Sequence, residues 1–381
     1  MIIIVHIITG LATGGAEMML YKLLSGIDRS RFKPIVISLM DKDTRISHRI
    51  EELGVPVHSL GLAQGKVSFL ALLRLIRTVR RCQPDIIQGW MYHGNIAASM
   101  CRLFSFYKPP VIWNIRQVLG LEFEKRSTAA LIRAAVFFSR SVAKIIYNTK
   151  LGAQQHERLG YVAHRTIVIP NGFDCEYFKP SALAKKALRK SLNLTDKHIL
   201  IGSIGRYAQQ KDYKNLLSAA RILTDEYEYV NFVLIGREIE DSNLDIVELI
   251  KQNKLDSRVH LLGERKDVSS LMAGMDIVVS ASSYGEGFPN VIGEAMASGV
   301  PCAVTDVGDS AWIVGDTGKV AAARDAPSLA KCCKQLIDIG EDERAHLGSL
   351  ARQRVLDNFT LDIIINQYEE LYERVVSDNA R

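Results

Sequence analysis

No apolar run in this 381-residue chain approaches the length needed to cross a bilayer as a helix. The apolar stretch Ile2–Ile8 has no basic region before it and no small-residue cleavage site after it, so an export signal is not expected either. The six cysteines, Cys82, Cys101, Cys175, Cys302, Cys332 and Cys333, lack C-x-x-C and Cys/His ligand spacing, which excludes a zinc module. Most lie in apolar runs and read as reduced, buried thiols of a cytoplasmic protein. Short-period repeats and low-complexity tracts are missing, and nearly half of the residues are apolar, so disorder is excluded and two cores can be supplied.

Acid is scarce in one half only. Residues 1–170 hold 23 Lys+Arg against 10 Asp+Glu, a charge of +13, whereas residues 171–381 hold 25 against 32, a charge of −7. The overall +6 conceals this split. A basic half implies an anionic partner: nucleic acid, a membrane surface or an acidic ligand. Nucleic acid is the poorest of these, because no recognition motif or aromatic RNA-binding signature accompanies the basic residues.

Apolar strand-like runs at 2–8, 34–39, 56–60, 85–88, 111–115 and 143–147 alternate with helical patterns at 16–27, 46–53, 67–82, 95–103, 129–139 and 152–158. Such alternation predicts a parallel sheet with right-handed crossovers. The pattern restarts with strands at 198–204, 231–235, 258–262, 276–281 and 302–305, which predicts a second Rossmann-like domain. Pro, Asn, Gly and Asp cluster near Pro170 to Pro180, and helical patterns at 341–357 and 362–376 close the chain.

The richest segment is Glu286-Gly-Phe-Pro-Asn-Val-Ile-Gly-Glu294. The expected strand 276–281 precedes it and a helix follows, so the turn stands at a strand's carboxyl end, where open α/β sheets bind ligands. Gly287 allows close approach of the backbone, and Phe288, Pro289, Asn290 and Val291 lead into a helix N-terminus suited to a phosphate or a sugar hydroxyl. Glu286 in the turn can accept hydrogen bonds from ligand hydroxyls, and Glu294, roughly one helical turn into the helix, can reach a second diol. The pair reads as polyol recognition.

This segment resembles the E-x7-E motif of the family 4 retaining glycosyltransferases of the GT-B architecture. Three other strings carry the same resemblance: Gly205-Arg206-Tyr-Ala-Gln-Gln-Lys211, Gly14-Gly15-Ala16-Glu17, and Ile169-Pro170-Asn171-Gly172-Phe173-Asp174. Together they span nearly the whole chain. The resemblance implies an α/β fold of two Rossmann-like domains whose parallel sheets face each other across a cleft. It places an N-terminal domain at 1–172, a donor-binding domain at 173–360, and a closing helix at 361–381 packed back on the first domain. It further implies transfer of a sugar, with retention, from a nucleotide-sugar, expected to be a UDP-sugar, to a hydroxyl of a glycan or lipid-linked glycan in cell-surface polysaccharide or glycoconjugate synthesis.

Arg206 and Lys211 follow a strand and precede a helix. A guanidinium and an ammonium there suit a diphosphate leaving group, whose negative charge grows as the glycosidic bond breaks, and the resemblance assigns them to it. It places the Gly14–Gly15 loop at the donor's diphosphate, Glu294 at the ribose, and His93, within Gly89-Trp-Met-Tyr-His-Gly-Asn95, near the donor sugar. A lone histidine is more often structural, and the remaining histidines read so. Asp41-Lys42-Asp43 offers the metal site of a different glycosyltransferase architecture, but the rest of the chain contradicts that architecture. No metal and no cofactor beyond the donor are expected. Two departures weaken finer assignments: Asp309 stands where the family often has Gly-Glu, and Gly236-Arg237-Glu238 replaces a glycine-rich turn. A GT-B epimerase or phosphorylase-like enzyme, or a non-catalytic nucleotide-sugar sensor, is the alternative.

In the helical pattern 67–82, Arg74, Arg77 and Arg81 form one basic stripe beside Phe69, Leu70, Leu73 and Ile76. A solvated face with its apolar side in the core is one reading. With Arg133, Arg140 and Lys144 near residues 134–138, the expectation is instead peripheral binding to the cytoplasmic face of an anionic membrane.

Overall fold

A computed structural model describes residues 1–12, 14–40, 43–63, 68–120 and 126–379. It divides into two compact units, Met1–Gly172 with Leu361–Arg381, and Phe173–Thr360. Asp41 and Lys42 of the acidic string, and Val67 at the start of the basic-stripe helix, lie outside the described residues.

The first unit is built on seven parallel strands: β1 Ile2–Ile8, β2 Phe32–Ser38, β3 Val57–Ser59, β4 Ile86–Trp90, β5 Val111–Ile115, β6 Lys144–Tyr147 and β7 Thr166–Val168. Their spatial order is β3-β2-β1-β4-β5-β6-β7. Near-continuous Ile and Val runs such as IIIVHII are what a sheet covered on both faces requires. Helices Gly15–Gly26, Arg45–Glu52 and Leu361–Asn379 pack one face, and Phe69–Cys82, Met91–Leu103 and Arg126–Phe138 pack the other.

The second unit carries β8 Ile199–Ile204, β9 Val230–Ile235, β10 Val259–Leu261, β11 Ile277–Ser280, β12 Cys302–Thr305 and β13 Lys319–Ala321, in the order β10-β9-β8-β11-β12-β13. Two short edge strands, β7 and β13, were not expected from the sequence. Asp276, just before β11, is buried and ion-paired with Arg189 and with Lys185 at 3.0 Å, and it accepts the Leu200 amide at 2.8 Å. This ties helix Ala182–Ser191 to the centre of the sheet.

In each sheet the winding reverses once, between β1 and β4 and between β8 and β11. At such a switch point the two flanking loops leave in opposite directions and open a crevice at the strands' carboxyl ends. The loop after β1 carries Gly14 and Gly15 and that after β4 leads to His93. The loop after β8 carries Arg206 and Lys211 and that after β11 carries Glu286. Topology thus puts three of the four motif strings, and His93, at the two switch points, whereas Ile169–Asp174 follows the edge strand β7.

Candidate functional site

At the β8/β11 switch point the loops are fixed by backbone geometry. Gly205 donates its amide to Ile235 and Tyr207 to Arg237, both at 2.9 Å, and the Tyr213 hydroxyl donates to the Gly205 carbonyl at 2.7 Å. Gly236 has φ 150° with its Cα against that same carbonyl, so a side chain there would overlap it. The Ser283 amide donates to Gln210 at 2.8 Å, which clamps the loop after β11 onto the loop after β8.

Within this frame Lys211 and Glu286 meet. The Lys211 Nζ lies 2.7 Å from Glu286 Oε1, and the Ser282 hydroxyl donates to the same oxygen at 2.8 Å. Both side chains are mostly buried. Distant in sequence, the two residues form one preorganised unit. An ammonium has three N–H donors and a carboxylate two oxygens, so each partner keeps capacity toward a ligand.

Arg206 is exposed. It lines a cavity of about 340 Å³ with Arg237, Glu264, Arg265 and Val268, over the ends of β8 and β9. Sequence reasoning missed Glu264, Arg265 and Val268. The only signal available was their position just beyond the short strand β10. A larger open cavity of about 850 Å³ lies beside Gln209, Tyr284 and Arg324.

Helix Asn290–Ala297 begins after Pro289, which stands at the N-cap. The first-turn amides of any helix lack intrahelical partners and carry partial positive charge. One assignment needs correction. Pro289 has no N–H and supplies no donor. The Phe288 ring is buried among Phe173, Trp312 and Phe359 with centroids 5.6–6.1 Å away, which leaves only its backbone for the amide contact expected of it. The aromatic cluster instead sets the helix's height: Gly293 lies so close to the Phe173 ring that a Cβ would overlap it. Glu294 is half-buried on this helix and Asn290 is exposed at its start.

Gly308, at φ 65°, lets the loop after β12 press on the Glu286 and Gly287 carbonyls, and the Asp309 amide donates to the Gly287 carbonyl at 2.9 Å. Asp309 is buried at the N-cap of helix Ser310–Val314, but its side chain makes no capping bond there. Its backbone braces the Glu286 loop.

In the first unit Gly14 is the extended N-cap of helix Gly15–Gly26. A Cβ on Gly14 would overlap the Glu17 carboxylate, whereas Gly15 is exposed with open space around its Cα. Burial raises the Glu17 pKa, and a bond from its own backbone amide opposes the shift. His93 is exposed in the first turn of helix Met91–Leu103, while its neighbours Trp90 and Tyr92 are buried. Asn171 accepts from Arg116, and Gly172 abuts Leu361, so the Pro-Asn-Gly string holds the chain's exit from this unit. Arg116, missed in the sequence, also donates to the Tyr368 hydroxyl at 3.1 Å.

Arg74, Arg77 and Arg81 are all exposed. Among the described residues, no group of His, Cys, Asp or Glu is arranged to hold a metal, and no helix is long and apolar enough to cross a membrane.

Residues 13–177 match the family model described as Glycosyltransferase Family 4, and residues 198–338 match that described as Glycosyl transferases group 1. The chain is 25% identical over 375 residues to the N,N'-diacetylbacillosaminyl-diphospho-undecaprenol alpha-1,3-N-acetylgalactosaminyltransferase of Campylobacter jejuni, covering 91% of this chain and 95% of that one. It is 30% identical over 197 residues to the N-acetyl-alpha-D-glucosaminyl L-malate synthase of Bacillus anthracis, which spans half of each chain. Anabaena HepE, solved in complex with UDP, shares the fold with a TM-score of 0.84 at 22% identity over 97% of this chain and 99% of that one. The two sheets, their switch points and the two family matches agree: the chain belongs to the family 4, group 1 glycosyltransferases and has the GT-B fold.

Proposed function

We propose that the enzyme transfers a sugar from a UDP-sugar to a hydroxyl of a lipid-linked or free glycan, with retention of anomeric configuration and without a metal. The observation that carries this reading is the Lys211–Glu286–Ser282 cluster at the β8/β11 switch point, beside the exposed Arg206. Glu286 keeps one oxygen for sugar hydroxyls while Lys211 keeps N–H donors for the diphosphate, so a single ion pair spans the bond to be broken. Arg206 and Lys211 stabilise the charge that develops on the leaving diphosphate, and the first turn of helix Asn290–Ala297 adds its dipole.

In the retaining step the anomeric carbon–phosphate oxygen bond breaks as the acceptor oxygen bonds the same face. The departing diphosphate takes the acceptor's proton. No side-chain nucleophile is required, and the protein's contribution is positioning and electrostatics. Glu294 is assigned to the ribose, the cavity lined by Arg237, Glu264 and Arg265 to the nucleoside, and Gly14, Gly15 and His93 to the diphosphate and donor sugar. The diphospho-undecaprenol acceptor of the Campylobacter relative supports a lipid-linked acceptor and a cytoplasmic, peripheral location.

A panel of UDP-sugars, assayed for donor hydrolysis and for transfer to a lipid-linked acceptor in EDTA, tests this. Turnover of one donor with the anomeric configuration kept is expected. Activity that appears only when Mn²⁺ or Mg²⁺ is restored would overturn metal independence, and UDP binding without turnover of any donor would favour a sensor.

A further inference from the structure

Helix Phe69–Cys82 buries Ala71, Leu75, Ile76 and Val79 in the core. At 100° per residue its opposite arc carries Phe69, Leu70 and Leu73 together with Arg74, Arg77, Arg80 and Arg81. Scattered apolar side chains are normal on a solvated face, whereas a contiguous apolar patch marks an interaction surface. Here Phe69 is 73% and Leu70 67% exposed, so of the apolar residues beside the basic stripe only Ile76 belongs to the core.

The face continues beyond the helix. Arg80 donates to the Phe104 carbonyl and its guanidinium lies 4.8 Å from the centroid of the Phe106 ring. This fixes the turn after helix Met91–Leu103 against the end of Phe69–Cys82. In that turn Phe106 is 91% and Leu103 62% exposed. Large apolar side chains thus stand at both ends of a row of arginines.

Charge identifies the occupant. Residues 68–108 and 126–150 hold 11 Lys+Arg and a single carboxylate, Asp85, which is engaged by the Ile3 amide at 2.7 Å. A second copy of the chain, paired by a two-fold axis, would set arginine against arginine. An anionic bilayer supplies both phosphate groups for the arginines and an apolar boundary layer for the aromatic rings.

We propose that the outer side of helix Phe69–Cys82 and the Leu103–Phe106 turn form a bilayer-docking surface. Its arginines pair with anionic headgroups while Phe69, Leu70, Leu103 and Phe106 enter the boundary between headgroups and acyl chains. The inference deepens the proposed function and rests on it for the lipid-linked acceptor, but docking itself requires no turnover.

Sedimentation with vesicles of phosphatidylglycerol and phosphatidylcholine, and of phosphatidylcholine alone, tests it at about 0.1 M and about 0.5 M NaCl. Mixed vesicles should bind at least tenfold more tightly than neutral ones. Each arginine near an anionic surface strengthens binding about fivefold, so Arg74→Glu, Arg77→Glu and Arg81→Glu combined should weaken it by about a hundredfold or more. Phe69→Ser with Phe106→Ser should remove the fraction that survives high salt while leaving low-salt binding detectable. These side chains are exposed, so circular dichroism and UDP calorimetry should match the unaltered protein. No vesicle binding, or binding unchanged in both variants, overturns the proposal, as does a dimer in ultracentrifugation that the serine substitutions dissolve. Loss of UDP binding in the unaltered protein would instead overturn the donor assignment.

Discussion

At the scale of single residues, the Lys211–Glu286 pair changes how the E-x7-E motif works. Separate roles for the lysine and the glutamate would give independent effects on mutation. A shared, mostly buried ion pair gives coupled ones, because removing either partner leaves the other charge uncompensated. Lys211→Ala and Glu286→Ala should each lower kcat by at least tenfold, and the double variant should deviate from additivity by about 0.5–3 kcal/mol in a kcat/KM cycle. Additive losses would separate the two roles again.

Two histidines make a second residue-scale prediction. His6 accepts from the Trp90 indole at 3.2 Å, and His156 bonds the Gly152 carbonyl at 2.7 Å through Nδ1 and the Tyr92 hydroxyl at 2.9 Å through Nε2. Burial lowers their pKa values to about 3 and about 4. Both are neutral in the fold and take a proton on unfolding, so below pH about 6.5 the unfolded state binds more protons. Stability should therefore be full above that value and fall as pH drops toward about 4, by up to about 1.4 kcal/mol per pH unit for each ring. Urea unfolding across this range measures the slope, and His6→Gln and His156→Gln should each flatten it. A slope untouched by both substitutions would assign acid sensitivity to carboxylates alone.

At the scale of elements, helix Asn290–Ala297 depends on a missing side chain. Its distance from the core is set where Gly293 meets the Phe173 ring. Gly293→Ala would push the helix outward, costing about 1–3 kcal/mol as overpacking and moving the N-terminus that the donor is proposed to use. Thermal melting should show the loss of stability, and calorimetry should show weaker UDP binding. Full UDP affinity in a destabilised Gly293→Ala protein would show that this N-terminus does not contact the nucleotide.

At the scale of the whole molecule, the first unit is made of two chain segments far apart in sequence. Helix Leu361–Asn379 brings Tyr368, Glu369 and Tyr372 into it: the Asn114 amide donates to the Tyr368 hydroxyl at 2.9 Å, the Asp28 amide donates to Glu369 at 2.8 Å, and the Tyr372 hydroxyl donates to Gln88. Tyr372 is fully buried. Tyr372→Ala should cost about 3–5 kcal/mol, as for other large aromatic truncations. Two units with separate cores need not melt together, so calorimetry should show the loss in one transition only. A uniform shift of the whole melting profile would mean that the two cores unfold as one.

By itself the sequence determined the class of fold, the succession of nearly all strands along the chain and the motifs at their ends. These are local properties: a run of Ile and Val, or a glycine before a helix, fixes an element within a few residues. It did not supply the edge strands β7 and β13. Nor could it decide which side chains meet. Glu286 and Lys211 are 75 residues apart, and only the β8/β11 pairing and the Ser283–Gln210 clamp bring them into contact. The motif placed Phe288 among the donor-facing amides, but that its ring packs on Phe173, Trp312 and Phe359 is a property of the fold. Phe69 and Leu70 could be placed at the surface only through the basic residues around them, because periodicity gives a helix its apolar arc but not the element that covers it. Pairing and coverage are properties of the assembled layers, and the tertiary structure alone decided them.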